Sequence, residues 1–309
     1  ALSWLLRKVM NISGTEGLVA CGNIFLGMTE SPVLIKNYLP TMNRSELFLV
    51  MVSGMGTIAG SVMGSYVGML GGQDPMAQQM FATHLLSASV MAVPGSIVIA
   101  KIMCPQTEPI QKDSKAEWGD EGHSNVLGAI SSGTVTGVKL MTNIAAMLLV
   151  FISLIAMVNY FTNNVIGHYT GLNEWIVKMT DGKSDGLTFQ FILGVITAPF
   201  MWLIGVPSDD IMLVGSLLGQ KTILNEFVAY FQLQEWRDAG LFVSQKSVIM
   251  STYILCGFAN ISSIGILLGG LGVLAPEKKG LISRTGFKAM IGGALVSVLS
   301  ATIIGMILG

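Results

Sequence analysis

The feature that most constrains this chain is a set of apolar segments long enough to cross a lipid bilayer as helices. A membrane-spanning α-helix needs about 20 consecutive, mainly apolar residues. Only 11% of the 309 residues are charged, whereas soluble domains carry about a quarter, so the chain cannot cover a water-facing surface. We therefore predict an all-α polytopic membrane protein in a lipid bilayer. The segments long enough to span are 47–70, 76–103, 126–160, 248–274 and 287–308.

The charge balance excludes several classes of function. A formal net charge of −1 offers nucleic-acid phosphates no basic field, so no nucleic-acid partner is expected. The low charge content also excludes a typical cytosolic enzyme and a disordered chain. Three cysteines and three histidines show no disulfide or zinc spacing, and we expect no organic cofactor.

Two further apolar stretches are interrupted by polar residues and are too short to span the bilayer. The first runs over 15–26, breaks at 27–32 and resumes over 33–39. The second runs over 210–218, breaks at 219–222 and resumes over 223–231. Such breaks lie at membrane depth only where protein or a wet cavity surrounds them. Each stretch therefore predicts a re-entrant helical hairpin.

The two hairpins stand in equivalent contexts. An amphipathic piece with a tryptophan, Trp4 or Trp202, precedes each hairpin, and a glycine-rich spanning helix follows it. Within these helices, residues 54–60 align with 257–263. Paired, glycine-interrupted segments indicate a transporter built from inverted repeats, with its site at the repeat interface. Chance similarity among helices rich in glycine, alanine and isoleucine is the alternative.

This pattern divides the chain into four predicted parts. Residues 1–103 form the first repeat, with an interfacial helix, a hairpin and two transmembrane helices. A cytoplasmic loop (104–123) and a long scaffold and oligomerisation helix (124–165) follow. Residues 166–309 form an extracellular loop and the second repeat. Lysine and arginine concentrate on the side where the first hairpin opens, which places that side in the cytoplasm.

Two carboxylates at the hairpins are the strongest candidates for function. Glu30 and Glu226 lie on segments predicted to enter the membrane, where an acidic group indicates function by default. A structural ion pair of Glu226 with Lys221 is the alternative. The neutral polar residues of the breaks and matched helices suit a multi-hydroxyl solute or a sodium ion: Asn23, Thr29, Thr57, Asn260, Ser262 and Ser263. A polar-solute channel and an intramembrane hydrolase using His84 are further alternatives.

Several motifs resemble those of the concentrative nucleoside transporters. They are NIFLGMTESP (23–32), SELF (45–48), GTIAGS (56–61), GQKT (219–222), NEFVAY (225–230) and CGFAN (256–260). The resemblance implies nucleoside symport driven by a sodium gradient, or alternatively by protons, in a homotrimer of the cytoplasmic membrane. The solute would lie between the two hairpin tips and two broken helices. We also expect the family's first helices to lie outside this sequence.

The resemblance also assigns roles by position. Residues facing the nucleobase would be Gly27, Met28, Thr29, Glu30 and Val62. Glu226, Asn260 and Ser263 would bind the ribose hydroxyls, with Phe258 packed on the sugar. The side chains of Asn23 and Thr57 and the carbonyls of Leu26 and Ile58 would hold sodium. Met28 stands where the family usually has glutamine, so its base selectivity is expected to differ.

Overall fold

The computed structural model describes residues 2–109, 126–180 and 182–309. The described residues form helices and contain no β-strand, which confirms the all-α fold class. The helices are α1 (Leu2–Met10), α2 (Gly14–Gly22), α3 (Arg44–Gly56), α4 (Gly60–Gly71), α5 (Pro75–Met103), α6 (Val126–Asn159), α7 (His168–Thr170), α8 (Leu172–Met179), α9 (Phe189–Leu203), α10 (Ile211–Ile223), α11 (Glu226–Asp238), α12 (Gln245–Leu255), α13 (Ile261–Leu274) and α14 (Lys279–Ile307).

The described residues fall into two compact units. Residues 2–109 and Leu193–Gly309 form the first, which contains both hairpins. The described residues between 126 and 192 form the second, where α6 continues into a π-helical segment, Tyr160–Gly167. The predicted loop 104–123 lies mostly outside the described residues. The predicted division into repeats and scaffold stays a prediction.

Three stretches of the described residues are long and apolar enough to cross a membrane. They are Arg44–Gly71, Pro75–Met103 and Pro276–Ile307, and they match the predicted spans 47–70, 76–103 and 287–308. The first includes a break between α3 and α4. The predicted span 248–274 is likewise divided, into α12 and α13.

Side-chain caps fix where the helices of the first hairpin and the first broken helix begin. The Ser13 hydroxyl accepts from the Glu16 amide at 3.2 Å, and the Glu16 carboxylate accepts from the Ser13 amide at 2.8 Å. Asn43 and Glu46 form the same reciprocal pair at the start of α3, both bonds being 3.0 Å long. These capping boxes satisfy amides that have no partner within the helix.

The second arm of the first hairpin is a 3₁₀-helix, Ser31–Thr41, and not an α-helix. Pro32 and Pro40 carry no amide hydrogen, and Ile35 has a non-helical backbone (φ −123°, ψ 21°). An α-helical hydrogen-bond ladder cannot run unbroken through such a segment. The 3₁₀ form satisfies the backbone in a short piece instead.

The predicted break of the second hairpin, 219–222, is wrong. These residues form the last turns of α10, and the chain turns at Leu224 and Asn225. The Asn225 side chain accepts from the Val228 amide at 2.9 Å and caps α11. Glu226 is therefore the first residue of the second arm and does not lie within it.

Candidate solute and ion site

The two interrupted helices meet at their breaks. Gly257 has φ +153°, and a Cβ atom there would lie 2.9 Å from the Met55 carbonyl oxygen. The Phe258 amide donates to the Thr57 carbonyl at 3.2 Å, which joins the two breaks directly. Only glycine allows this backbone approach. The glycine-rich cores aligned in the sequence are thus the points of contact.

The tip of the first hairpin lies against both interrupted helices. The Gly60 amide, at the start of α4, donates to the Phe25 carbonyl at 3.1 Å. A Cβ atom at Gly54 of α3 would lie 2.8 Å from the Met28 Cβ atom. A Cβ atom at Gly270 of α13 would lie 2.8 Å from Thr29 Cγ2.

The predicted nucleobase residues of this tip differ in exposure. Met28 is buried in the apolar core, with 7% of its surface exposed, whereas Glu30 is exposed. The Thr29 hydroxyl donates to the Glu30 carboxylate at 2.9 Å. Gly27 also lies beside this carboxylate, since a Cβ atom there would collide with it. Val62 packs separately, against the buried cluster that contains Ile58.

Glu226 and Asn260 form the polar centre of the second group of site residues. Asn260 Nδ2 donates to Glu226 Oε2 at 2.9 Å, and both residues are buried. The Asn260 Oδ1 atom accepts from the Ser263 amide at 2.9 Å and the Ser263 hydroxyl at 3.0 Å, and also from the Ser262 hydroxyl. The orientation of the Asn260 amide is therefore fixed. Glu226 lies at the N-terminus of α11, where a helix stabilises negative charge.

Tyr66 is a member of this group that the sequence analysis missed. Its hydroxyl donates to Glu226 Oε1 at 3.2 Å, and its ring stacks on Tyr230 with centroids 4.2 Å apart. Both tyrosines are fully buried. A polar ring on an apolar helix is a weak signal, and the sequence contains no indication of its partner in α11. Phe258 packs against the core clusters on both sides, as its position at the crossing requires.

Lys221 is fully buried, but its hydrogen bonds are not made with Glu226. The Nζ atom donates to the Ile254 carbonyl at 2.7 Å and to the Ser297 hydroxyl at 2.9 Å. The Glu226 carboxylate accepts from Tyr66 and Asn260 instead. The structure therefore does not favour the ion-pair alternative for Glu226.

The predicted sodium ligands lie where the first hairpin meets the end of α3. Asn23 Nδ2 donates to the Ser53 hydroxyl at 3.0 Å, and the Thr57 hydroxyl donates to the Ser53 carbonyl at 2.9 Å. Asn23, Thr57 and Ile58 are buried. The Asn23 Oδ1 atom is buried and has no hydrogen-bond partner among the described atoms. A buried acceptor without a donor fits a cation ligand.

His84 takes part in a pair that needs no catalytic role. Its Nδ1 atom lies 3.4 Å from the Tyr253 hydroxyl, and the two rings meet edge to face. This pair joins α5 to α12. A histidine held in this way by a neighbouring helix is a packing contact, and it does not support the hydrolase alternative.

The described geometry defines a class of protein. Two helices whose interruptions meet, with a hairpin tip packed on them, are the arrangement that membrane transporters use to bind solutes near the middle of the bilayer. The polar groups at the breaks supply the acceptors and donors. The protein is a membrane transporter.

Comparison with known proteins gives the family. A family model described as the Na⁺-dependent nucleoside transporter C-terminus matches residues 84–305, and one described as nucleoside recognition matches residues 1–73. An uncharacterised transporter of Haemophilus influenzae is 39% identical over 100% of this chain and 69% of its own length. Sodium/nucleoside cotransporter 1 of Sus scrofa is 37% identical over 99% of this chain and 46% of its own length.

A solved structure agrees with this result. CNTnw in an inward-facing substrate-bound state superimposes with a TM-score of 0.84 at 36% identity, over 100% of this chain and 68% of that one. The chain belongs to the Na⁺-dependent, concentrative nucleoside transporter family. It is a multi-pass membrane protein of a family of transporters, not of enzymes. It spans about two thirds of the bacterial relative and about half of the porcine one.

Proposed function

We propose that this protein is a symporter that imports nucleosides across the cytoplasmic membrane and is driven by a sodium gradient. The observation that carries the proposal is the buried Glu226 carboxylate beside the crossing of the two breaks. An ionised carboxylate has about four lone-pair positions, and Tyr66 and Asn260 use two of them. The remaining positions suit the vicinal hydroxyls of a ribose.

The remaining residue roles are those that the resemblance to the family implies. Asn260 and Ser263 bind the ribose together with Glu226, and Phe258 packs on the sugar. The first hairpin tip contacts the base through Gly27, Met28, Thr29 and Glu30, with Val62 on the adjoining helix. Support comes from the packing of this tip on both interrupted helices.

Sodium is the proposed coupling ion. The Asn23 and Thr57 side chains, with the carbonyls of Leu26 and Ile58, would hold it at the C-terminal end of α3. The unpartnered Asn23 Oδ1 atom supports this assignment, and oxygen ligands at a helix C-terminus favour a cation. Relatives named as sodium/nucleoside cotransporters support sodium over protons as the driving ion.

We further propose a homotrimer in which the first hairpin opens to the cytoplasm. In this arrangement α6 forms the scaffold, and the two hairpins move with the interrupted helices that they contact. The distribution of lysine and arginine supports the orientation. The homotrimer is what the resemblance of the sequence motifs to this family implies.

Uptake of labelled nucleoside into proteoliposomes tests the function. We expect saturable accumulation that an inward sodium gradient drives and an imposed pH gradient does not. Accumulation driven by pH alone would replace sodium with protons as the coupling ion. Entry that only follows the nucleoside's own gradient would indicate a channel and refute symport.

A further inference from the structure

The same order of elements occurs twice in the first compact unit. A hairpin is followed by an interrupted helix and then by a long helix. The elements are α2, Ser31–Thr41, α3, α4 and α5 in the first set, and α10, α11, α12, α13 and α14 in the second. In both sets, the end of the first hairpin helix contacts the end of the first half of the interrupted helix. The contacts are Asn23 with Ser53, and Lys221 with Ile254.

Such a junction attracts positive charge. The last carbonyl groups of a helix have no partner within it, and they form the negative end of its dipole. Two helix C-termini that meet inside an apolar protein therefore concentrate partial negative charge. At the first junction, the unpartnered Asn23 Oδ1 atom adds a further acceptor. A cation at either junction would offset this charge.

The second junction already contains a cation that belongs to the chain. Lys221 lies in the last turn of α10 and is fully buried. Its ammonium group binds the Ile254 carbonyl at the end of α12 and the Ser297 hydroxyl of α14. The Ser297 hydroxyl in turn donates to the carbonyl of Cys256, the first residue of the break, at 3.1 Å.

No acidic side chain forms an ion pair with Lys221 within 4.0 Å among the residues that the structure describes. An ammonium group inside a membrane protein is costly unless neighbouring groups compensate its charge. Here the groups within hydrogen-bond distance are the Ile254 carbonyl, at the C-terminal end of α12, and the Ser297 hydroxyl, in the interior of α14. The Glu226 carboxylate adds a Coulombic interaction from beyond ion-pair distance. A carbonyl and a hydroxyl are also the ligand types proposed for sodium at the first junction.

We propose that Lys221 is a tethered cation that does for α10 and α12 what the coupling ion does for α2 and α3. The second junction is then permanently charged, and coupling uses a single sodium ion, bound at the first junction. The comparison with the first junction rests on the proposed sodium site. The role of Lys221 at its own junction rests on its own contacts.

Chemical rescue of the full chain in lipid nanodiscs tests the proposal. Lys221→Ala removes three methylene groups and the ammonium group, which propylammonium can replace. In choline buffer, the variant should unfold about 5 °C or more below wild type, because roughly 1 kcal/mol shifts the melting temperature of a large domain by about 2–4 °C. Propylammonium should recover most of this loss, whereas 1-propanol, which lacks the charge, should not.

Lys246→Ala is the matched control. Lys246 also donates to a carbonyl, that of Gly309 at 3.2 Å, but from a half-buried position near the start of the neighbouring helix, where the bond is exposed. Its variant should melt within about 1 °C of wild type and show no rescue, because no buried charge or core packing is lost at this position.

Lys221→Met is the second variant, because methionine keeps much of the side-chain volume without the charge. We expect it to be destabilised as Lys221→Ala is. The proposal would be overturned if Lys221→Met melted at the wild-type temperature. It would also be overturned if propylammonium raised the melting temperature of Lys221→Ala no more than that of wild type. Two sodium ions transported per nucleoside by wild type would overturn it as well. Sodium-independent uptake by wild type would refute the sodium site and coupling by a single sodium ion. It would leave the role of Lys221 at its own junction standing, since the rescue measures stability without transport.

Discussion

Replacing Glu226 with glutamine tests the centre of the proposed ribose site. In the native protein, Asn260 Nδ2 donates to Glu226 Oε2, and Asn260 Oδ1 is occupied by the donors of Ser262 and Ser263. The Asn260 amide therefore cannot rotate to accept a hydrogen bond from the new side chain. In Glu226→Gln, one orientation places two amide donors against each other, and the other turns an amide donor toward the Tyr66 hydroxyl, which must then accept where it donates in the native protein.

The expected loss follows from the charge of the acceptor. A hydrogen bond to an ionised group contributes about 1.5–3 kcal/mol. Loss of one such bond to a ribose hydroxyl weakens binding about 10- to 100-fold, since about 1.4 kcal/mol corresponds to a factor of ten. The fold should survive, because the glutamine keeps the size of the side chain and can still accept one hydrogen bond.

Nucleoside binding in nanodiscs and uptake into proteoliposomes measure this loss, and thermal unfolding measures the stability of the fold. Glu235→Gln is the control, because Glu235 is exposed on the same helix and accepts from Gln232. It should bind nucleoside as wild type does. Wild-type affinity in Glu226→Gln would refute the reasoning, and so would a lowered melting temperature with unchanged affinity.

Three further substitutions test other parts of the structure. Asn23→Ala should raise the sodium concentration needed for half-maximal uptake about tenfold, because one oxygen ligand is lost; an unchanged sodium response would contradict the assignment. Met28→Gln should favour uridine over other nucleosides in competition assays, because an amide pairs with a base edge; an unchanged rank order would place Met28 away from the base. Lys101→Met should lower the melting temperature by leaving the buried Glu16 without its partner at 2.6 Å. Breaking a fully buried ion pair costs about 3–5 kcal/mol of stability. The loss should be smaller here, because Lys101 is partly exposed. An unchanged melting temperature would show that the pair adds nothing to the stability of the fold.

Hydropathy predicted the three spans that the structure confirms, Arg44–Gly71, Pro75–Met103 and Pro276–Ile307, but not where the apolar segments are interrupted. The predicted span 248–274 appeared continuous because the residues of its break, 256–260, are mostly apolar. The interruption depends on the backbone approach of Gly257 to Met55, which involves residues about 200 positions apart. The two glycine-rich cores aligned in the sequence overlap both breaks, but the alignment was interpreted as a repeat and not as an interruption.

The second hairpin shows why polarity alone misplaces a turn. Gln220 and Lys221 interrupt an apolar segment and suggested a break, but both lie in α10. Lys221 finds its acceptors on α12 and α14, which the local sequence does not contain. Asn225 gave the correct signal, since asparagine is a favoured residue immediately before a helix.

The helix caps link the candidate site to the proposed movement of the second hairpin. At α3, Asn43 and Glu46 cap one helix with two side chains of that same helix. At α13, Ser263 occupies the position equivalent to Glu46, and the carboxylate near the cap is Glu226 of the hairpin. The side chain that fixes the start of α13 therefore also fixes the distance between α13 and α11. A solute that binds Glu226 and Asn260 interacts most strongly when these two side chains are hydrogen-bonded to each other. Its binding therefore favours the conformations in which α11 of the second hairpin contacts α13 of the interrupted helix.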